Sequence, residues 1–94
     1  MATNTLLAAG TTATESADFT VAVGGTLSLF LNYGTGIENC PATAEFLIQK
    51  KTGSDYQTMF RMNKNLPAVV LEGAGTYRAK RGLQDSAIGL DSET

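Results

Sequence analysis

Between residues 17 and 91 the chain alternates apolar and polar positions in short runs, each closed by glycine, proline or other turn formers. Phe19, Val21 and Val23 alternate with small or polar residues, Gly24-Gly25 interrupts, and Leu27, Leu29 and Leu31 then line one face of a second run. Period-two alternation of this length predicts half-buried β-strands. If Gly24-Gly25 closes a two-residue hairpin, the flanking strands pair directly; if it sends the chain across to a second sheet, they do not, and the pattern fits both. Residues 32–41 hold Asn32, Gly34, Gly36, Asn39 and Pro41, which predicts an exposed loop. Ala44, Phe46 and Ile48 alternate with Glu45, Leu47 and Gln49. A charged turn over residues 50–55 then leads into a strand at 55–62, so a β-hairpin is expected with Lys50 and Lys51 at its solvated tip. Pro67 fits a strand start, Val69 and Leu71 point one way, and Ile88 and Leu90 supply a closing strand. The prediction is seven strands, at 17–23, 26–32, 43–51, 55–62, 68–72, 76–81 and 86–91, with no helical apolar stripe and no internal repeat.

The first sixteen residues read differently. They are mostly Thr, Ala, Gly and Asn around one apolar knot, Leu6-Leu7, a composition that cannot bury enough surface to fold alone. Residues 1–16 are expected to form an extended arm and residues 17–94 the domain. The arm would pack on a neighbouring subunit through Leu6 and Leu7 or, alternatively, dock on its own sheet as an edge strand. Thr12-x-x-Glu15 matches a helix capping box only formally, since no periodic apolar run follows it.

The spacing Gly75-x-Tyr77-x-Ala79 resembles the tyrosine corner of immunoglobulin-like sandwiches, in which a Tyr two residues before an inward-facing position ties its hydroxyl to upstream backbone. Gly75 and Tyr77 are therefore assigned structural roles. Seven short strands with this corner imply an all-β, immunoglobulin-like sandwich, with a jelly roll as the runner-up. Ala79 stands where antibody domains carry their second cysteine, and the single cysteine, Cys40, excludes an intrachain disulfide.

Ninety-four residues make one domain that needs no metal or disulfide to fold. Charged residues are only 17% of the chain against ~25% in an average soluble protein, which fits a surface partly covered by partners. The net charge of −2 argues against a nucleic-acid binder. No membrane span is expected, because none of the apolar runs approaches ~20 residues, and Leu6-Leu7-Ala8-Ala9 is too short for the apolar core of an export signal.

The side-chain inventory disfavours catalysis. Histidine is absent, so the Ser-His and Cys-His pairs and the common zinc ligand are unavailable. Cys40 then reads as a small buried or loop thiol. Asp85, Asp91 and Glu93 lack the spacing of a calcium loop and are expected as a solvated acidic tail. Gly73-x-Gly75 is too short for a dinucleotide fingerprint and reads as a tight turn. No catalytic residue, metal ligand or cofactor is assigned. Arg78 and Lys80 share the face opposite Tyr77 and Ala79, and with Arg81 they form a basic cluster suited to a contact between subunits.

Three segments, Ala44-Glu45-Phe46-Leu47-Ile48-Gln49-Lys50-Lys51, Val70-Leu71-Glu72-Gly73-Ala74-Gly75-Thr76-Tyr77-Arg78-Ala79-Lys80-Arg81 and Ala87-Ile88-Gly89-Leu90-Asp91, together with Asp55-Tyr56-Gln57-Thr58, resemble small virion structural proteins of tailed bacteriophages over about half the chain. The resemblance implies a non-enzymatic β-sandwich that decorates or cements a capsid, assembles in the host cytoplasm, binds the major capsid protein and forms homo-oligomers, with a trimer favoured. Leu6, Leu7, Lys50, Lys51, Arg78 and Lys80 are the expected partner contacts. Two other roles fit the same sequence: a glycan-binding or adhesive module using Tyr33 and the loop at 32–39, and a tail or connector component.

Overall fold

The computed structural model describes residues 3–34, 36–41, 43–82 and 87–93, with the side chains of Thr3 and Ile37 excepted. Among these described residues nine strands occur in the order β1 (Thr3–Gly10), β2 (Thr14–Glu15), β3 (Phe19–Val21), β4 (Leu27–Asn32), β5 (Glu45–Thr52), β6 (Asp55–Asn63), β7 (Ala68–Leu71), β8 (Gly75–Arg81) and β9 (Ile88–Glu93), with one 3-10 turn at Ile37–Asn39. All pairings are antiparallel. The first sheet runs β1-β9-β4-β7; the second runs β2-β8-β5-β6, with β3 continuing the β2 edge along β8. The protein is an all-β sandwich.

The core is the set that the alternation predicts except in the first run, where β3 ends at Val21, Phe19 is half-buried and Val23, expected on the same face, lies in the following turn and is 92% exposed. Leu27, Leu29 and Leu31 from β4, with Ile88 and Leu90 from β9 and Leu71 from β7, meet Phe46, Ile48, Met62, Tyr77 and Ala79 of the second sheet. Cys40 and Ala44 complete it from the loop that links the sheets. Burying such side chains contributes roughly 1.5–3 kcal/mol each before chain entropy is counted.

Two turns are decided by their glycines. Gly53 at φ 67 opens the two-residue turn between Thr52 and Asp55, which matches a type II′ hairpin. The ladder runs to Thr52 opposite Asp55, so Lys50 and Lys51 are ladder residues opposite Gln57 and Tyr56, not hairpin tip, while β5 begins at Glu45, two residues later than expected. Gly24 at φ 78 sits in a turn closed by the Gly25 N–H on the Ala22 carbonyl at 2.9 Å, and this turn carries the chain from the second sheet to the first.

The N-terminal segment takes the second of its two expected courses, docking on the chain's own sheets as edge strands. Thr3–Gly10 is the edge strand of the first sheet, paired with Ile88–Glu93, and Thr14–Glu15 is the edge of the second. Two register shifts let β1 follow β9; the first, between Thr5 and Leu7, falls at Leu6, and both Leu6 and Leu7 are half-buried against the chain's own core. Crossing from one sheet to the other, residues 3–15 close one side of the sandwich. Ser16 ends the crossing: its N–H donates to the Ala79 carbonyl at 2.8 Å, and its hydroxyl oxygen, in place of a carbonyl, accepts from the Ala79 N–H at 2.9 Å. Freed of that ladder bond, the backbone steps out before β3 begins.

Asp91 and Glu93, expected in a solvated tail, lie in β9 between β1 and β4, and Asp91 is buried. Asp85 and the start of the expected strand at 86–91 fall outside the described residues.

Candidate interaction surface

Tyr77 anchors one end of the molecule. Its ring is buried and stacked near Phe19, and its hydroxyl donates to the Gly73 carbonyl at 2.5 Å, forming the tie expected of the corner. Gly75 takes φ 153, and a Cβ there would lie 2.8 Å from Lys50 Cε. Glycine is thus required both by the backbone angle and by the passage of the lysine stem. Lys50 lies on the inner face of the second sheet with its ammonium 5.7 Å from the Tyr77 ring centre.

The outer face of the second sheet carries a connected polar network. The Arg78 guanidinium stacks 3.6 Å from the Tyr56 ring centre, donates to Gln49 Oε1 at 2.8 Å and pairs with Glu15 at 2.8 Å. Gln49 in turn donates to Thr58 at 3.3 Å. The Tyr56 hydroxyl donates to the Asp18 carboxylate, 2.9 and 3.0 Å from its two oxygens, and that hydrogen bond holds the phenol pKa above its ordinary value. Lys51 hangs over the same ring at 5.9 Å, and Lys80 is exposed on this face. The network staples the β2 and β3 edge to the middle of the sheet; its donors and acceptors are largely spent on one another.

Arg81 does not belong to that basic face. Its parity in β8 is that of Tyr77 and Ala79, so it points inward and is 4% exposed. Its Nε donates to the Thr12 carbonyl at 2.9 Å, and Nη1 donates to the Ala8 and Ile88 carbonyls at 2.8 and 2.9 Å. A single guanidinium therefore ties the crossing segment to both sheets, its plane 6.0 Å from the Phe46 ring centre. The alternation of residues 77, 79 and 81 contained this signal, but charge concealed it.

The opposite side of the sandwich is open. Among the described residues β6 pairs only with β5, and β7 only with β4, apart from the bridge between Asn63 and Leu66 in the tight turn that links them. A bulge in β6 leaves Met59 without a partner, since Phe60 faces Ile48 and Thr58 faces Gln49. Met59 is 52% exposed, Val70 54% and Leu66 40%, and all three lie along this one side. Between the two edges is a cleft of about 250 Å3 lined by Lys50, Met59, Phe60, Val70, Leu71, Glu72, Gly73 and Tyr77.

The six expected contact residues do not converge. Leu6 and Leu7 pack on the closed side, Lys51, Arg78 and Lys80 lie on the outer face of the second sheet, and Lys50 alone reaches the open cleft. Tyr33 is half-buried against the core, not displayed as a platform. Cys40 is buried beside the Pro41 carbonyl, and burial pushes its thiol pKa up. Among the described residues no group of three or more acidic or cysteine side chains is gathered as a metal site, and no helix is long and apolar enough to cross a membrane. Searches of family models, curated proteins and solved structures match nothing to this chain.

Proposed function

We propose that this chain is a non-enzymatic structural protein of a virion, a sandwich module that decorates or cements a phage capsid by docking on the major capsid protein. The observation that carries the reading is that three of the four exposed large hydrophobics among the described residues, Met59, Leu66 and Val70, lie beside the β6 and β7 edges, the fourth, Val23, being in the turn after β3. Free strand edges invite pairing with another chain, and single-chain proteins generally cover or charge them. An apolar flank on such an edge fits permanent attachment to a larger body. The segment resemblance to small phage structural proteins supplies the kind of body.

The mechanical picture differs from that of a clamping arm. Leu6 and Leu7 are spent on the chain's own sandwich, so attachment falls to the β6 and β7 side, and repetition over a shell multiplies a modest contact. Truncating residues 1–16 would therefore damage the fold and cannot serve as a clean attachment test. The test is sedimentation of purified protein with shells that lack it, counting bound copies at saturation. A plateau at a fixed multiple of the shell's symmetry sites supports decoration. Binding only to tails or connectors, or to no particle, overturns it. Light scattering of the free protein, with a trimer expected, checks the homo-oligomer.

A further inference from the structure

The phase of the β4 and β7 ladder says which backbone groups the open side offers. The Leu31 N–H donates to the Pro67 carbonyl at 2.9 Å, and the register continues through Leu29 opposite Val69 and Leu27 opposite Leu71. In an antiparallel pair, hydrogen-bonded and non-hydrogen-bonded positions alternate. Val69 and Leu71 therefore turn their N–H and C=O groups toward β4, while those of Ala68 and Val70 point out of the sheet edge. On the sheet's inner side the same edge borders the cleft, whose apolar lining is Met59, Phe60, Val70, Leu71 and Tyr77. At about 250 Å3 the cleft is smaller than the ~300–1,000 Å3 typical of small-molecule pockets and suits one or two protein side chains.

Two charges line the cleft, Lys50 and Glu72, and no ion pair joins them, so a strand laid along β7 can meet Lys50 with an acid of its own. The Lys50 ammonium reaches the cleft next to Gly73, where a Cβ would lie 3.7 Å from it, and among the described residues it pairs with no carboxylate. We propose that the cleft receives an extended segment of a partner protein that adds to β7 through Ala68 and Val70, seats one apolar side chain between Met59 and Leu71, and presents an Asp or Glu two residues away to Lys50. The two-residue spacing follows from the pleat, because only alternate side chains of an added strand face the cleft. This deepens the docking side assigned above and rests on it for its biological setting, though not for its chemistry.

The test is selection of a displayed random octapeptide library on the purified full-length protein, followed by affinity measurement with synthetic peptides from the winners. Enriched sequences are expected to carry an apolar residue and an acidic one at that spacing, and Lys50→Glu should exchange the acidic preference for a basic one. Val70→Pro removes an N–H that β4 does not use and should weaken binding about tenfold. Met59→Gln, which alters an exposed side chain and no backbone group, should do the same should the proline variant fold poorly. Enrichment no better than a blank surface, or winners without the acid that bind Met59→Gln as well as wild type, overturns the proposal. Shell sedimentation separates the two ideas. Shells that bind wild type and Met59→Gln alike remove the cleft and leave the decoration reading intact, whereas selected peptides with no shell binding do the reverse.

Discussion

The two open sides of this sandwich are treated in opposite ways. On one, the chain crosses from β1 to β2 and a buried arginine fastens the crossing to Ala8, Thr12 and Ile88. On the other, β6 passes to β7 through a tight turn, and both edges are left free with methionine, leucine and valine exposed beside them. A sandwich made of two short sheets has four edges, and each leaves unpaired backbone groups. Here the crossing from β1 to β2 bridges two of them at the cost of burying a cation, while all four edge strands pair on one side only; what sets the β6 and β7 side apart is the exposed apolar side chains beside its edges. The contrast separates what holds the fold from what the fold can present.

Breaking the closed side should have the largest effect. Arg81→Met keeps the apolar stem but leaves three carbonyls without their shared donor, and should cost about 3 kcal/mol or more of unfolding free energy in urea titration. Arg81→Lys should recover only part, because an ammonium cannot span all three carbonyls with the planar fork of a guanidinium. Gly89→Ala comes next. A Cβ at Gly89 would stand 2.8 Å from the Ala9 nitrogen and 2.9 Å from the Leu7 carbonyl oxygen, so β1 must lift away. A loss of about 1–3 kcal/mol is expected, with amide-exchange protection falling first over residues 3–10. Tyr77→Phe removes the bond to the Gly73 carbonyl and should cost about 1–1.5 kcal/mol while leaving the ring stack.

Smaller effects sharpen the comparison from the outer face. Tyr56 donates to Asp18 only while protonated, and its pKa is raised in the fold by that bond first and by burial second. Its contribution is therefore complete below the ordinary phenol value and is lost as pH rises through the higher folded value. Tyr56→Phe should abolish that alkaline dependence in denaturant midpoints measured above pH 10. On the open side Met59→Gln should shift stability by no more than ~0.5 kcal/mol, since the side chain is half exposed and fills no core position. A large loss there would mean that the side is structural, and would erase the contrast.

The legible part of this architecture was whatever repeats at period two. Leu27, Leu29, Leu31, Phe46, Ile48, Tyr77 and Ala79 are all core residues, as their alternation implies, and the β5 and β6 hairpin forms where expected, with its strand ends shifted by one or two residues. The tyrosine tie was legible because its spacing is local. For residues 1–16 the sequence left two destinations open, a neighbouring subunit or the chain's own sheet edge, and could not choose between them. A Thr- and Ala-rich run with two leucines has too little apolar surface to declare a strand, and it becomes one only because β9 and β8 offer edges and Arg81 offers donors. Arg81 was grouped with the basic cluster although its parity in β8 is that of Tyr77 and Ala79, because a guanidinium is usually at the surface. Of the expected contact residues only Lys50 faces the open cleft, since the others were chosen by composition, which carries no information about which edge is left free.

The sequence by itself therefore determined the strand count in the body of the chain, the inward faces of those strands, the sandwich class and the corner at Tyr77. These depend on near neighbours, on side-chain parity and on one short hydroxyl reach. Only the tertiary structure decided that the glycine turn at 24–25 changes sheets, that the N-terminal residues seal one side, and that β6 and β7 leave the other open. Those outcomes depend on which distant edges meet, and the energies that choose between them come from pairings far apart in the chain, such as Thr5 with Asp91 and Ala8 with Arg81.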